Sequence, residues 1–416
     1  MGAVFGDATN VLKRLYDGDA PQSLATRERV LLSMISKKND FAGDDLAIPL
    51  QVANPQGAGP NPAVAYTAAG TMGDMANVYK RFLITKYDAF HSVKLDRKAI
   101  MGAREKGKGA FVDILEEGTN SMLDELGALS SRWLYGDGTA QIGSRGSIST
   151  ETVTLAVPGD AKNFFAGQQL QVYNGVGPSV RTITVGSGYL GTSVTVVSVD
   201  EENGKFTLTS GDAAAVGTFT DGDFFIPAGG AGGLGAWPGL AAWLPLTTPS
   251  ATTFFGVNRS LDATRLSGVR VDNATGSIED NIMTVAERCN TIRKGRTRCC
   301  FLNPTNFTTL EKSLDSKHIY NDGGDSADVG FSSIRVRTSG GAVKVYADPD
   351  CPTNRGYVLD LASWAFHHMG AFPHLVDDGG GQLMSPIDGT NSVMIKGALY
   401  GAPACNAPGS NGVFSI

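Results

Sequence analysis

Phe111, Leu115, Gly118, Met122, Leu126, Leu129 and Trp133 recur every three or four residues, which places them on one stripe of an α-helix. Asp113, Glu117, Asn120, Asp124 and Arg132 fall off that stripe. The spacing predicts a long amphipathic helix near residues 105–135, running roughly 45 Å at the helical rise. The turn Tyr135-Gly-Asp-Gly-Thr139 closes it. Gly118 and Gly127 each cost about 1 kcal/mol relative to Ala, so a bend is expected near one of them. A helix of this length with a single apolar face organises the rest of the chain around it.

Ahead of the helix, Val11, Leu12, Leu15 and Tyr16, then Val30, Leu31, Met34 and Ile35, form short helical patterns without a local partner. They are expected to belong to an arm that packs elsewhere. LAIPLQV at 46–52 reads as a strand, followed by the Gly/Ala/Pro/Asn-rich stretch Ala53–Tyr79. The run 80–100 is extended again, with His91, Val93 and Leu95 alternating against Ser92, Lys94 and Asp96. Together these segments predict an extended hairpin with a long tip, a loop of the kind that is usually functional. Reaching a neighbouring subunit is the function expected of it.

Between 145 and 230 the composition changes to short β-rich runs separated by Gly, Asp and Asn turns, the pattern of an all-β insert. Glu202-Asn-Gly-Lys205 predicts a tight hairpin turn between Val194–Val199 and Phe206–Thr209. After the Gly-rich link Ala228–Gly235 the pattern is mixed. A helix is predicted over 277–294, with Ser277 as N-cap and Asp280 three positions on. A buried strand at TRCCFLN, a helix at Pro304–Leu314 and strands near Ile334–Val336, Val343–Tyr346 and Tyr357–Leu359 follow. VMIKGALYGAPACNAP reads as a strand passing into a coil with two prolines.

Charge and motifs narrow the function. A net charge of −6 argues against a surface that wraps nucleic acid all round. Local basic runs remain at Lys94–Lys108 and Arg288–Arg298. The five cysteines form no CxxC, so free thiols in a reducing cytoplasm are expected. The N-terminus carries no secretory pattern and no stretch is apolar enough to span a membrane.

Gly186-Ser-Gly-Tyr-Leu-Gly191 matches a dinucleotide fingerprint, but a β run follows it where a helix is required. Gly102–Gly109 is near a phosphate-binding loop, yet Gly109 stands where Ser or Thr would hold magnesium. It reads as a basic elbow before the helix. His367, His368 and His374 with Asp377 and Asp378 lack metal-site spacing and read as surface imidazoles. Asp322, Asp325 and Asp328 form a solvated acidic loop, not a calcium loop. No catalytic, cofactor-binding or metal residue is assigned, no cofactor is implied, and the reading is of a structural protein, not an enzyme.

The order of parts, together with IPLQVANPQG, the helix at 107–135 and TFFGVNRSLDATRLSGVRVD, resembles the major capsid proteins of tailed bacteriophages, which share the Hong Kong 97 phage-capsid fold. The resemblance implies an α+β chain with an N-terminal arm (1–45) and an extended hairpin loop (46–98). A peripheral domain with the spine helix (99–144) follows, then the all-β insertion domain (145–230). An axial domain (236–345) and remaining axial and peripheral strands to the C-terminus (346–416) complete it. It implies self-assembly into pentamers and hexamers of an icosahedral shell enclosing double-stranded DNA, built in the host cytoplasm and located in the virion. Partners implied are a separate scaffolding protein, a portal protein, DNA held without sequence readout, and a decoration or cement protein; no membrane is involved. No Lys or Asn matches the isopeptide pair by which some relatives crosslink. Two other readings stay open: an encapsulin-like nanocompartment shell, and a glycan-binding or decorative virion protein.

Overall fold

The computed structural model describes residues 29–41, 43–53, 78–97, 114–149, 151–174, 183–185, 189–191, 193–209, 222–228, 235–293, 298–315, 334–376, 384–387 and 389–416. Helix α1 (Val30–Met34) and strand β1 (Ser36–Lys38) open it. Leu31, Leu32, Ile35 and Phe41 are buried in the chain's own main core. The expectation of an arm packing elsewhere is thus corrected for residues 30–41, which β1 ties to Ala365–His367 and the Leu31 amide to Asp348. Residues 1–28 lie outside the described residues.

Strands β2 (Asp45–Ala53) and β3 (Val78–Thr85) pair antiparallel from Asp45↔Thr85 to Ala53↔Val78, forming the base of the predicted hairpin. Its tip lies outside the described residues. The pleat turns Leu46, Ile48, Leu50, Phe82 and Ile84 toward the core. The extended run that follows does not continue as one strand. It breaks at Lys86, and β4 (Tyr87–Asp96) pairs instead with the late segment Ser392–Cys405.

The long helix, α2, spans Ile114–Tyr135, 22 residues that run about 33 Å. The predicted start at 105–113 lies outside the described residues. The helix is unbroken through Gly118 and Gly127, and at both glycines a neighbour approaches closely. A Cβ on Gly118 would lie 3.2 Å from Leu95, and one on Gly127 would lie 2.5 Å from the Arg29 guanidinium.

Seven residues on, β5 (Gly143–Ser149) begins an all-β unit with β6 (Thr152–Leu155) and β7 (Gln169–Tyr173). The short pair β8 (Ile183–Val185) and β9 (Tyr189–Gly191) precedes β10 (Val194–Asp200), β11 (Lys205–Leu208) and β12 (Phe224–Pro227). Six of these close into a barrel in the order β10-β11-β6-β5-β12-β7. Phe164, Phe206 and Phe225 fill it, with Phe164 stacked on Phe206 at 4.7 Å. Asn203 shapes the β10–β11 turn by donating its backbone and side-chain amides to the Asp200 carboxylate. Gly204 supplies a positive φ of 63° there, an accessible conformation for glycine.

The barrel rests on the body through the 3-10 turn Pro158–Asn163. Lys162 donates to the Pro349 carbonyl, and Gly159 faces Thr353. Burial pushes the Asp160 carboxyl up to about 6 against the opposing pull of Lys162 and Arg355. An unfolded carboxyl titrates near 4, so between about pH 4 and 6 only the folded chain keeps the proton, and stability falls as pH rises through that window. Asp160→Asn is expected to raise the urea midpoint at pH 7.5, with the advantage over wild type vanishing by about pH 4. An advantage independent of pH contradicts this.

After the barrel come helix α3 (Leu240–Trp243), the ribbon β13 (Thr253–Phe254) and β14 (Val257–Asn258), helix α4 (Ala263–Ser267) and β15 (Val269–Val271). Helix α5 (Ile278–Arg293) opens as predicted, with the Asp280 amide donating to Ser277 Oγ at 3.1 Å. Then follow β16 (Cys299–Leu302), α6 (Pro304–Asp315), β17 (Ile334–Thr338), β18 (Gly341–Ala347) and β19 (Arg355–Leu359). The chain finishes with β20 (Trp364–Leu375), β21 (Met384–Pro386), β22 (Ser392–Cys405) and β23 (Gly412–Ser415).

Two sheets result. One is six-stranded, β15-β23-β19-β16-β18-β17, with α5 and α6 contributing Ile282, Val285 and Leu310 to the core on one face. The expected division at 345 falls inside β18, and β19 and β23 belong to the same sheet as β16. The other sheet has the path β1-β20-β22-β21, with β4 also paired to β22. The expected C-terminal coil is a strand as far as Cys405. Pro403 is tolerated because β4 pairing ends at Gly401, so its missing amide faces no strand on that side.

An aromatic core joins these parts. All four tryptophans take part: Trp133 of α2 meets Trp237 at 4.9 Å, Trp237 meets Phe366, and Trp243 touches both Phe82 of the hairpin and Trp364. Edge-to-face pairs of this kind add about 0.5–1.5 kcal/mol each beyond their area.

Candidate assembly surfaces

The long helix owes its position to a strand without a side chain at the crossing point. Met122 and Leu126 are buried against β4 and β22. A Cβ on Gly397 would stand 2.7 Å from Leu126 and 3.0 Å from Met122. Leu95, Val393 and Ile395 complete that contact. The other face of this sheet has no helix on it among the described residues. There Phe90 is 62% exposed and meets Tyr400 edge-on at 5.8 Å, and Met369 is also exposed. Sequence reasoning assigned no role to Phe90; its signal was an aromatic residue on the polar side of a clean alternation. The outward face of the hairpin base likewise shows Tyr79 and Leu83.

At the far end of α2 a buried carboxylate ties three segments together. Asp348 Oδ2 accepts the Leu31 amide and the Tyr135 hydroxyl, both at 2.9 Å. Its Oδ1 accepts the Asp350 amide at 3.0 Å. Burial raises the Asp348 carboxyl despite these three donors, and burial beside that carboxylate holds the Tyr135 phenol well above its ordinary range. The group is a structural clasp between α1, α2 and the loop after β18. Its chemistry suits holding, since every oxygen is already engaged from inside the fold.

The histidines singled out from sequence are not surface imidazoles. His367 and His368 are buried because β1 lies parallel on β20, from Ser36↔Ala365 to Lys38↔His367. His367 Nδ1 pairs with Asp40 at 2.6 Å, and His368 Nδ1 with the Gly370 carbonyl at 3.0 Å. His374 packs on the Tyr400 ring. Asp377 and Asp378 lie outside the described residues. Among the described residues no group of three or more His, Cys, Asp or Glu is placed to hold a metal ion.

All five cysteines are free and buried. Burial pushes Cys289 and Cys405 up to about 12, which leaves no thiolate for nucleophilic chemistry at neutral pH. The loops Gly102–Gly109 and Asp322–Asp328, and Gly186 to Gly188 of the glycine motif, lie outside the described residues. Strand β10 follows that motif, so no helix N-terminus meets it. Of the basic run Arg288–Arg298, Arg288 donates to the Arg270 carbonyl and Arg298 is exposed ahead of β16. Among the described residues no helix is long and apolar enough to cross a membrane.

No protein-family model matches the sequence. The search of curated proteins returned no match. Solved structures are similar in fold. A chain of the cyanophage A-1(L) capsid asymmetric unit aligns over 98% of this chain and 97% of its own length, with 13% identity and a TM-score of 0.55. A chain of the native GTA particle capsid, at 9% identity and 99% coverage of both chains, gives 0.48. The SrpI encapsulin of Synechococcus elongatus, at 8% identity over 99% of this chain and 96% of that one, gives 0.45. The last two scores are too low to bear on the fold. The first spans nearly the entire chain, and on it this protein has the fold of a phage capsid subunit.

Proposed function

We propose that this chain is the major capsid protein of a tailed bacteriophage, assembling through pentamers and hexamers into an icosahedral shell around double-stranded DNA. The observation that carries the reading is the near-complete overlay on a cyanophage capsid chain. On this reading α2 is the spine of a peripheral domain and the six-stranded sheet is the heart of an axial domain. The hairpin β2–β3 is the base of an extended loop, residues before Arg29 continue the arm, and the barrel is an insertion domain. The protein is structural, resident in the virion and assembled in the host cytoplasm. Its partners are other copies of itself, a separate scaffolding protein, a portal protein, a decoration or cement protein, and DNA held through charge alone.

Physically, a shell of this kind works by multivalency. A hairpin and an arm engaging different neighbours raise the effective concentration of every other contact, so individually weak contacts suffice. The exposed Phe90 and Tyr79 faces are surfaces available for such contacts. The cargo tests the reading. Particles purified after nuclease treatment are expected to contain protected double-stranded DNA. Particles filled with an enzyme instead identify a nanocompartment and overturn the phage assignment.

A further inference from the structure

The outer edge of the six-stranded sheet separates its apolar and charged residues by face. On β17 and β18, Ile334, Val336, Val343 and Val345 are buried beneath the helices. The opposite face carries Arg335, Arg337 and Lys344, all exposed. Arg335 lies directly across the ladder from Lys344. Like charges directly opposite one another in a sheet are destabilising. Among the described residues none of these three side chains has an ion pair. Asp360, at the end of β19, turns its carboxylate to the Ala362 amide. A chain with net charge −6 therefore gathers three cations without an ion pair among the described residues on one sheet face.

The complementary surface lies on the barrel. Asp200, Glu201 and Glu202 are consecutive and exposed at the β10–β11 turn, with Lys205 offsetting one of them. The turn is pre-organised, since Asn203 donates twice to Asp200 at 3.1 and 2.7 Å and Gly204 packs on Pro158. The barrel meets the body beside Pro349–Arg355, after the C-terminal end of β18, whereas the cations flank that strand's N-terminal half. Among the described residues the two surfaces form no ion pair within one chain. A contact between two different surfaces of like subunits is heterologous, the kind that generates rings. A preformed acidic tip costs little ordering entropy on docking.

We propose that the Arg335, Arg337 and Lys344 face receives the Asp200–Glu202 tip of a second copy of this chain. The inference rests on the shell-forming reading above and names one of its subunit contacts. The test is assembly of the full-length protein, followed by sedimentation, for Arg335→Glu with Lys344→Glu, for Asp200→Lys with Glu202→Lys, and for all four together. Each reversed pair alone is expected to raise the concentration needed for assembly about tenfold or more, and the combination to return it to within about threefold of wild type. Thermal unfolding of the unassembled variants is expected to match wild type. Assembly unaffected by either reversal overturns the proposal while leaving the shell reading intact. Loss from the basic reversal that the combination does not rescue, accompanied by loss of co-purified nucleic acid, assigns the face to a polyanion and also overturns it. A wild-type chain that never assembles sinks the shell reading, and this contact with it.

Discussion

Asp348→Ala destabilises the folded subunit by about 2–5 kcal/mol, the expected consequence of leaving buried donors without an acceptor. The residue is fully buried, and its removal strands the Leu31 amide, the Tyr135 hydroxyl and the Asp350 amide at once. Asp348→Asn costs less. Its amide retains one oxygen acceptor and resembles the neutral carboxyl that burial favours, but it cannot serve both sides of the clasp. Urea denaturation of the unassembled subunit at neutral pH checks the order wild type, Asn, Ala. An Ala variant within 0.5 kcal/mol of wild type, about the scatter of ordinary surface changes, contradicts the assignment of the clasp. Because the clasp joins α1 to the end of α2, α1 is expected to lose hydrogen-exchange protection first in the Asn variant.

The second large effect concerns the seat of the long helix. Gly397→Val places a branched side chain where even a Cβ would stand 2.7 Å from Leu126. Overpacking of this sort costs about 1–3 kcal/mol, and more where backbone must shift. Leu126→Ala alone costs about 2–5 kcal/mol through the cavity it leaves. The pair is expected to be less destabilised than the sum, because the new methyls occupy the vacated space, giving a coupling of about 1 kcal/mol or more in a double-mutant cycle. Strict additivity would place the helix elsewhere on the sheet.

Much of this was legible in local patterns, and what was not has particular causes. The stripe on α2 located its face at Met122 and Leu126, but near the C-terminus Ser130 and Leu134 are buried alongside the half-buried Leu129 and Trp133. Ser130 does not advertise burial in sequence; it is accommodated because its hydroxyl donates to the Leu126 carbonyl at 2.7 Å. The barrel's β character was plain, yet its closure depends on β5, whose GSRGSIS sequence carries a single large apolar residue. That strand bridges β6 and β12. The burial of His367 and His368 depends on β1, over 300 residues earlier, which no local window contains. The split at Lys86 was hidden for the same reason, since the partner of β4 is β22. The cationic sheet edge escaped notice because its members alternate with buried residues, and only the β17–β18 register sets Arg335 directly across from Lys344.

A capsid subunit must close shells. Electron microscopy of the purified full-length protein, alone and with a co-expressed scaffolding protein, is expected to show isometric particles tens of nanometres across, with fivefold and sixfold capsomers. Monodisperse monomers under every condition tried would contradict it.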